Sequence, residues 1–230
     1  MATPRTFIVF DFETDGKNPE LCNPVQIAAL AVNSKTLKIV KGSEFNMMVK
    51  PPGIENLPEY LETVTGYKDS DTVEECIAWH AKTLKKTKEE VIESWANAPD
   101  QKFVWERFSQ HINKFNWKGQ MFSAPIACGM NIRDFDLTIT NRLNNIHGIK
   151  TMFWLRDKVD LLDLFFYWLE DVEDAPKNYR MDTLREYFGM KERGSHDALV
   201  DVQDEAEIII RFMKLLRKTS KNVKFKGAFK

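Results

Sequence analysis

The run from Thr6 to Phe12, TFIVFDF, constrains this chain most, because it is a short β-branched and aromatic segment suited to a buried strand and it ends in acids. Asp11 and Glu13 are two residues apart, so on a strand both project from one face while Phe12 points into the other. Adjacent carboxylates repel, which raises a pKa unless a cation neutralises them, and the pair therefore suits a metal site. It also suits a strand that runs out into a solvated acidic loop, Glu13-Thr14-Asp15-Gly16. The same residues mimic the start of a calcium-binding loop. Cys22, however, stands where that loop needs a bidentate glutamate, and the preceding segment is strand-like where a helix is required.

Val25 to Val32 (VQIAALAV) predicts a second strand and Glu44 to Val49 a third, before Pro51-Pro52-Gly53 breaks the pattern. An initial three-stranded meander with turns near Gly16 and Gly42 follows. From Asp71 to about Asn97 the pattern turns helical, with Thr72-x-x-Glu75 and Thr87-x-x-Glu90 resembling capping boxes, and residues about 70–100 are expected to form a helical insertion. Phe103 to Phe115 places Val104, Phe108, His111, Ile112 and Phe115 on one helical face, where His111 reads as a core-edge histidine. Ile126 to Gly129 suggests a short strand feeding a helix from about Arg133 to Asn144, and Val159 to Leu169 another apolar helix. Ser195 can cap a last helix with Ala198, Val202, Ala206, Ile209, Met213 and Leu216 as its buried stripe.

At 230 residues and 43% hydrophobic content, one α/β domain with its own core is expected. With 33 basic and 34 acidic residues the net charge is -1, which excludes a globally basic nucleic-acid binder, so any such binding must be local. Residues 217–230 are a basic tail with Phe225 and Phe229 and no acid, suited either to tracking phosphates or to a solvated end. Cys22, Cys76 and Cys128 form no CxxC pair, and no apolar run is long enough for a signal peptide or a membrane span. These features predict a soluble, cytoplasmic protein with no membrane partner.

Two further segments carry acids. Ser195-His196-Asp197-Ala198-Leu199-Val200-Asp201 opens the last helix. Five residues on a helix is ~500°, so His196 and Asp201 flank one site only if His196 precedes the helix proper. Gly129-Met130-Asn131-Ile132-Arg133-Asp134-Phe135-Asp136 is a strand-to-helix junction with two acids about 200° apart on a helix. Asp136 aligns with the apolar Ile139 and Leu143, and Asp134 with Thr138 and Asn141, so Asp136 is the expected inward-facing acid.

Taken in order, these segments resemble the DnaQ-like exonucleases of the DEDDh class, from Phe7 to about Leu216. Asp11-Phe12-Glu13-Thr14 resembles the family's first motif, Gly129-x-Asn131 with Phe135-Asp136 the second, and His196-Asp197-Ala198-x-x-Asp201 the third. The stretch Asp11 to Ala28 is also similar to bacterial exonuclease I, and Phe153-Trp154 with Arg156-Asp157 to the phage-type exonuclease A group. Met130 stands where many members have histidine, and the chain is much shorter than exonuclease I. The resemblance implies a ribonuclease H-like α/β fold with a mixed sheet of about five strands flanked by helices, as one domain over residues 1–216. It further implies two Mg²⁺ or Mn²⁺ ions held by Asp11, Glu13, Asp136 and Asp201, with His196 as general base. Thr14 and Asn131 would contact the terminal nucleotide. The implied activity is 3′→5′ hydrolysis of single-stranded DNA to nucleoside 5′-monophosphates. An exoribonuclease, a non-catalytic nucleic-acid-binding module and a structural protein whose acids lie scattered on its surface are the alternatives.

Overall fold

A computed structural model of the chain describes residues 5–191 and 197–222. Strand β1 (Thr6–Thr14) lies at the centre, antiparallel to β2 (Pro24–Asn33) and parallel to β5 (Ile126–Gly129). Strand β3 (Lys38–Ile39) and strand β4 (Phe45–Met48) both pair with β2, and β6 (Lys158–Asp160) adds in parallel to β5. The result is a six-stranded mixed sheet of order β3-β2-β1-β5-β6 with β4 beside β2. The expected meander is present, with Gly42 in its second turn at a φ of 72°.

Alternation along β1 sends its side chains into two cores. Ile8, Phe10 and Phe12 meet Val104, Trp105, Phe108 and Ile112 of α4 (Gln101–Asn113) and Leu137, Ile139 and Leu143 of α5 (Asp136–His147). Phe7 and Val9 face the opposite side, toward α6 (Leu161–Leu169), α7 (Met181–Tyr187) and α8 (Ala198–Asn222). Sandwiched between helices, β1 and β2 must be apolar along their length, and an ionisable group on either is tolerable only where the covering layers end. A third apolar cluster joins α1 (Leu57–Glu62), α2 (Val73–Leu84) and α3 (Lys88–Ala96) to Val25 of β2. Thr87 and Glu90 form a reciprocal capping box, and the Thr72 hydroxyl accepts from Glu75 N–H. No described helix is long and apolar enough to cross a membrane.

Several elements differ from expectation. The run from Val159 is not one helix: residues Lys158–Asp160 pair with β5, and Asp160 caps the helix that follows by accepting from Leu162 N–H at 3.0 Å. Helix α5 begins at Asp136 and not near Arg133, because the Asp160 carboxylate accepts from Asn131 and Arg133 N–H and holds that segment as a turn, with Asn131 at φ 53°. The short helices α1 and α7 carry too few turns to display a period. Finally, Arg217 to Asn222, expected as the start of the basic tail, continue α8, and residues 223–230 lie outside the described residues, as does Ser195.

Gly129 sits where β5 approaches both β1 and the turn after it. A Cβ there would lie 2.3 Å from Ile132 Cγ2 and 2.8 Å from the Phe10 carbonyl oxygen. Gly129→Ala should therefore destabilise the protein by about 1–3 kcal/mol, the cost of overpacking a closed site, read as a lowered urea midpoint at unchanged m-value.

Candidate metal centre

The covering layers end at the C-terminal half of β1, and there the acids collect. Asp11 and Glu13 project from the β1 face on which α8 lies, and Asp201 is in the first turn of that helix. Each of the three can offer one carboxylate oxygen such that all lie within 4.8 Å of one another, a spacing suited to one divalent cation. Asp136, 2% exposed at the start of α5, comes from the other side of the strand and accepts the Phe12 N–H at 3.1 Å. Its neighbour Asp134 is exposed. Acids that are distant in sequence thus converge on one strand end, and the reading as scattered surface groups has no support here.

Crowding without a cation shows in the titration of these groups. Burial, then the charge of Asp201, raises the Asp11 carboxyl to about 7, opposed by the Phe12 N–H. Glu13 is raised to about 8 by burial and by Asp11, Asp201 and Asp197. Asp136 stands well above the ordinary carboxylate range through burial and then Asp11. Among the described residues only carboxylate oxygens form the cluster, the donor type that hard divalent cations take.

Several residues that build the site gave no advance signal. Arg185 on α7, 4% exposed at its side chain, donates to Asp201 at 2.7 Å, to Asp204 at 2.6 Å and to Asp182 at 2.9 Å, and so orients Asp201. Nothing in a short helix flanked by irregular chain singles it out. Asp15, read as part of a solvated loop, is fully buried. Its carboxylate accepts from Asn23 N–H at 2.6 Å and the Tyr60 hydroxyl at 2.8 Å, while burial raises its pKa to about 6. Asp160 organises the 131–135 turn, and Glu205, one turn beyond Asp201 on α8, is 2% exposed.

Beside Glu13 opens a cleft of about 740 Å³ between the end of β1 and the α2 segment, lined among others by Thr14, Gly16, Lys17, Thr65, Trp79 and Phe135. Thr14 borders this cleft, although its hydroxyl donates to the Gly16 carbonyl at 2.6 Å. Its own carbonyl is held by His80 Nε2 at 2.9 Å and Cys76 Sγ at 3.4 Å. Asn131 is exposed and does not line the cleft. His196 lies outside the described residues. His111, in contrast, is a buried core-edge group bonded to the Ser43 carbonyl at 3.0 Å, with its pKa lowered by burial.

No family model matches the chain, and no curated protein matches it. Solved structures do. Cell-death related nuclease 4 (CRN-4) superposes with a TM-score of 0.63 at 18% identity, over 93% of this chain and 65% of that one. E. coli exonuclease I in complex with a dT13 oligonucleotide gives 0.65 at 18% identity, over 95% of this chain but 43% of that one. Exonuclease I from Methylocaldum szegediense gives 0.60 at 15% identity, over 93% and 43%. The chain therefore has the ribonuclease H-like fold of these nucleases, and it spans less than half of the length of the exonuclease I chains.

Two outcomes follow from the electrostatics. Asp11 and Glu13 ionise near 4 in an unfolded chain but near 7 and 8 in the folded one, so between those values the unfolded state binds fewer protons. Stability of the metal-free protein should be highest below about pH 4 as far as these groups decide it, and fall as pH rises toward 8. Melts at pH 6 and pH 8.5 check this, and millimolar Mg²⁺ should restore most of the difference at the higher pH. Arg185→Ala leaves Asp204 buried beside Asp201 without its guanidinium, and should cost about 3–5 kcal/mol in urea unfolding.

Proposed function

We propose that the chain is a DnaQ-like 3′→5′ exonuclease of the histidine subclass, acting on single-stranded DNA and releasing nucleoside 5′-monophosphates. The convergence of Asp11, Glu13 and Asp201, with Asp136 bonded to the backbone between the first two, is the observation that carries this reading. The fold shared with exonuclease I supports it, and the dT13 complex of that protein favours DNA over RNA.

Asp11, Glu13, Asp136 and Asp201 would hold two Mg²⁺ or Mn²⁺ ions. When bound, these supply Lewis acidity to the attacking and leaving oxygens of phosphodiester hydrolysis. After burial, Asp11 is the charge that acts most strongly on both Glu13 and Asp136, which suits it to be a ligand the two ions would share. Arg185 keeps Asp201 in one orientation through their ion pair. His196 is assigned the removal of a proton from the attacking water, a task to which an imidazole is suited near neutral pH. The cleft beside Glu13 and Thr14 is of a size to take the terminal nucleotide, with the half-exposed Trp79 as an apolar surface for a base and Lys17 near its phosphate.

The assay is stepwise shortening of 5′-labelled single-stranded DNA, duplex DNA and RNA in Mg²⁺, Mn²⁺ or EDTA. Shortening from the 3′ end of single-stranded DNA that stops in EDTA is expected, and undiminished activity in EDTA overturns the mechanism. His196→Ala should lower kcat by about 10²–10⁴-fold with metal binding retained and the acid limb of the pH profile lost. An unchanged kcat removes His196 from the base role. Asp136→Asn should be far more damaging than Asp134→Asn, and the reverse ranking would reassign the fourth acid.

A further inference from the structure

Helix α8 buries Ala198, Val202, Ala206, Ile208 and Ile209 against the sheet, yet two acids share that buried surface. Asp204 is accounted for by Arg185. Glu205 is not. It is 2% exposed, and its Oε2 atom has no hydrogen-bond partner among the described residues. A buried carboxyl with an unused oxygen is costly, and a methionine or glutamine would fill the same volume without that cost.

Its position gives the reason. Glu205 follows Asp201 by four residues, so the two side chains stand one above the other on a single helix face. Glu205 Oε2 lies 3.3 Å from where a Cβ of Gly129 would be, and that point is 2.8 Å from the Phe10 carbonyl. The carboxyl is thus lodged at the β1–β5 seam, one residue before Asp11, and the absence of a side chain at Gly129 makes the room. We propose that Glu205 is a fifth acid of the metal centre, placed beneath Asp11 and Asp136 so that its free oxygen helps to hold a divalent cation of the Mg²⁺ or Mn²⁺ kind. This rests on the metal-centre reading above. The same three acids, Asp11, Asp136 and Asp201, are the charges that act most strongly on Glu205 after burial itself, as expected for a group that faces them.

The test is Mn²⁺ binding, followed by the electron paramagnetic resonance of free Mn²⁺, with no substrate present. Glu205→Gln and Glu205→Met should each bind Mn²⁺ about tenfold more weakly or worse, the loss typical of removing a group that supports a metal site. Their metal-free melting temperatures should be equal to or above that of the unsubstituted protein, because a buried carboxyl with an unused oxygen has been removed from among the acids. A smaller loss of affinity in a folded variant overturns the proposal and leaves the exonuclease reading standing. No Mn²⁺ binding by the unsubstituted protein overturns both. If neither variant folds, anomalous scattering from crystals of the unsubstituted protein soaked in Mn²⁺ decides: manganese within bonding distance of Glu205 supports the assignment, and manganese bonded only to other residues refutes it.

Discussion

Mutual repulsion among carboxylates held at one end of a buried strand is the constraint to which most of this structure answers. Asp11 and Glu13 are attached to β1, which cannot move because β2 and β5 pair with it on both sides and helices cover both of its faces. Asp136 and Asp201 are delivered to the same place by the starts of two different helices. A chain free to relax would separate these groups. Here the apolar cores on either face, each built on alternate residues of the same strand, oppose that relaxation, so the cost appears as carboxyls that hold their protons to about pH 7 or 8. A site of this kind is most stable when something positively charged enters it, and folding energy spent on the sheet becomes affinity for that cation.

Around the acids, the backbone is fixed by other polar side chains. Asp160 holds the turn before α5, which sets where that helix starts and hence where Asp136 points. Asp15 ties the end of β1 to Asn23 and to Tyr60 of α1, while Thr65 donates to the Asp15 carbonyl at 2.8 Å. Gly16 is needed at that junction, since a Cβ there would lie 2.3 Å from Thr65. Asp160 and Asp15 therefore act as backbone clamps, chemically similar to the proposed ligands but differing in what surrounds them. Composition could not separate the two sets.

What was legible in the sequence was what has a period. The TFIVFDF strand, the VQIAALAV strand, the stripe from Ala198 to Ile209 and the choice of Asp136 as the buried acid all follow from counting residues per turn or per pleat, and the structure has them in those places. Long-range partnership was not legible. Arg185 meets Asp201 and Asp204, which follow it by 16 and 19 residues, and Asp160 acts on residues nearly thirty positions earlier. Such contacts are set by topology, which no local window contains. The split of Val159 to Leu169 into strand and helix is an intermediate case, because an apolar run of that length fits either state until a neighbouring strand is available to pair with it.

The helices between β4 and α4 connect these two levels. Their cluster is anchored through Val25 of β2, and from it His80 and Cys76 reach the carbonyl of Thr14, the residue after Glu13. The ladder between β1 and β2 keeps its register through the Glu13–Gln26 pair and shifts between Glu13 and Thr14, so regular pairing is lost at the residue after Glu13. The two bonds to the Thr14 carbonyl hold the chain there instead. It follows that α2 is more than a wall of the cleft: its packing helps to fix the strand end that carries Glu13. A change in the apolar contacts of Ile77 or Trp95 would then be transmitted to the end of β1 through Thr14 before it altered the overall fold.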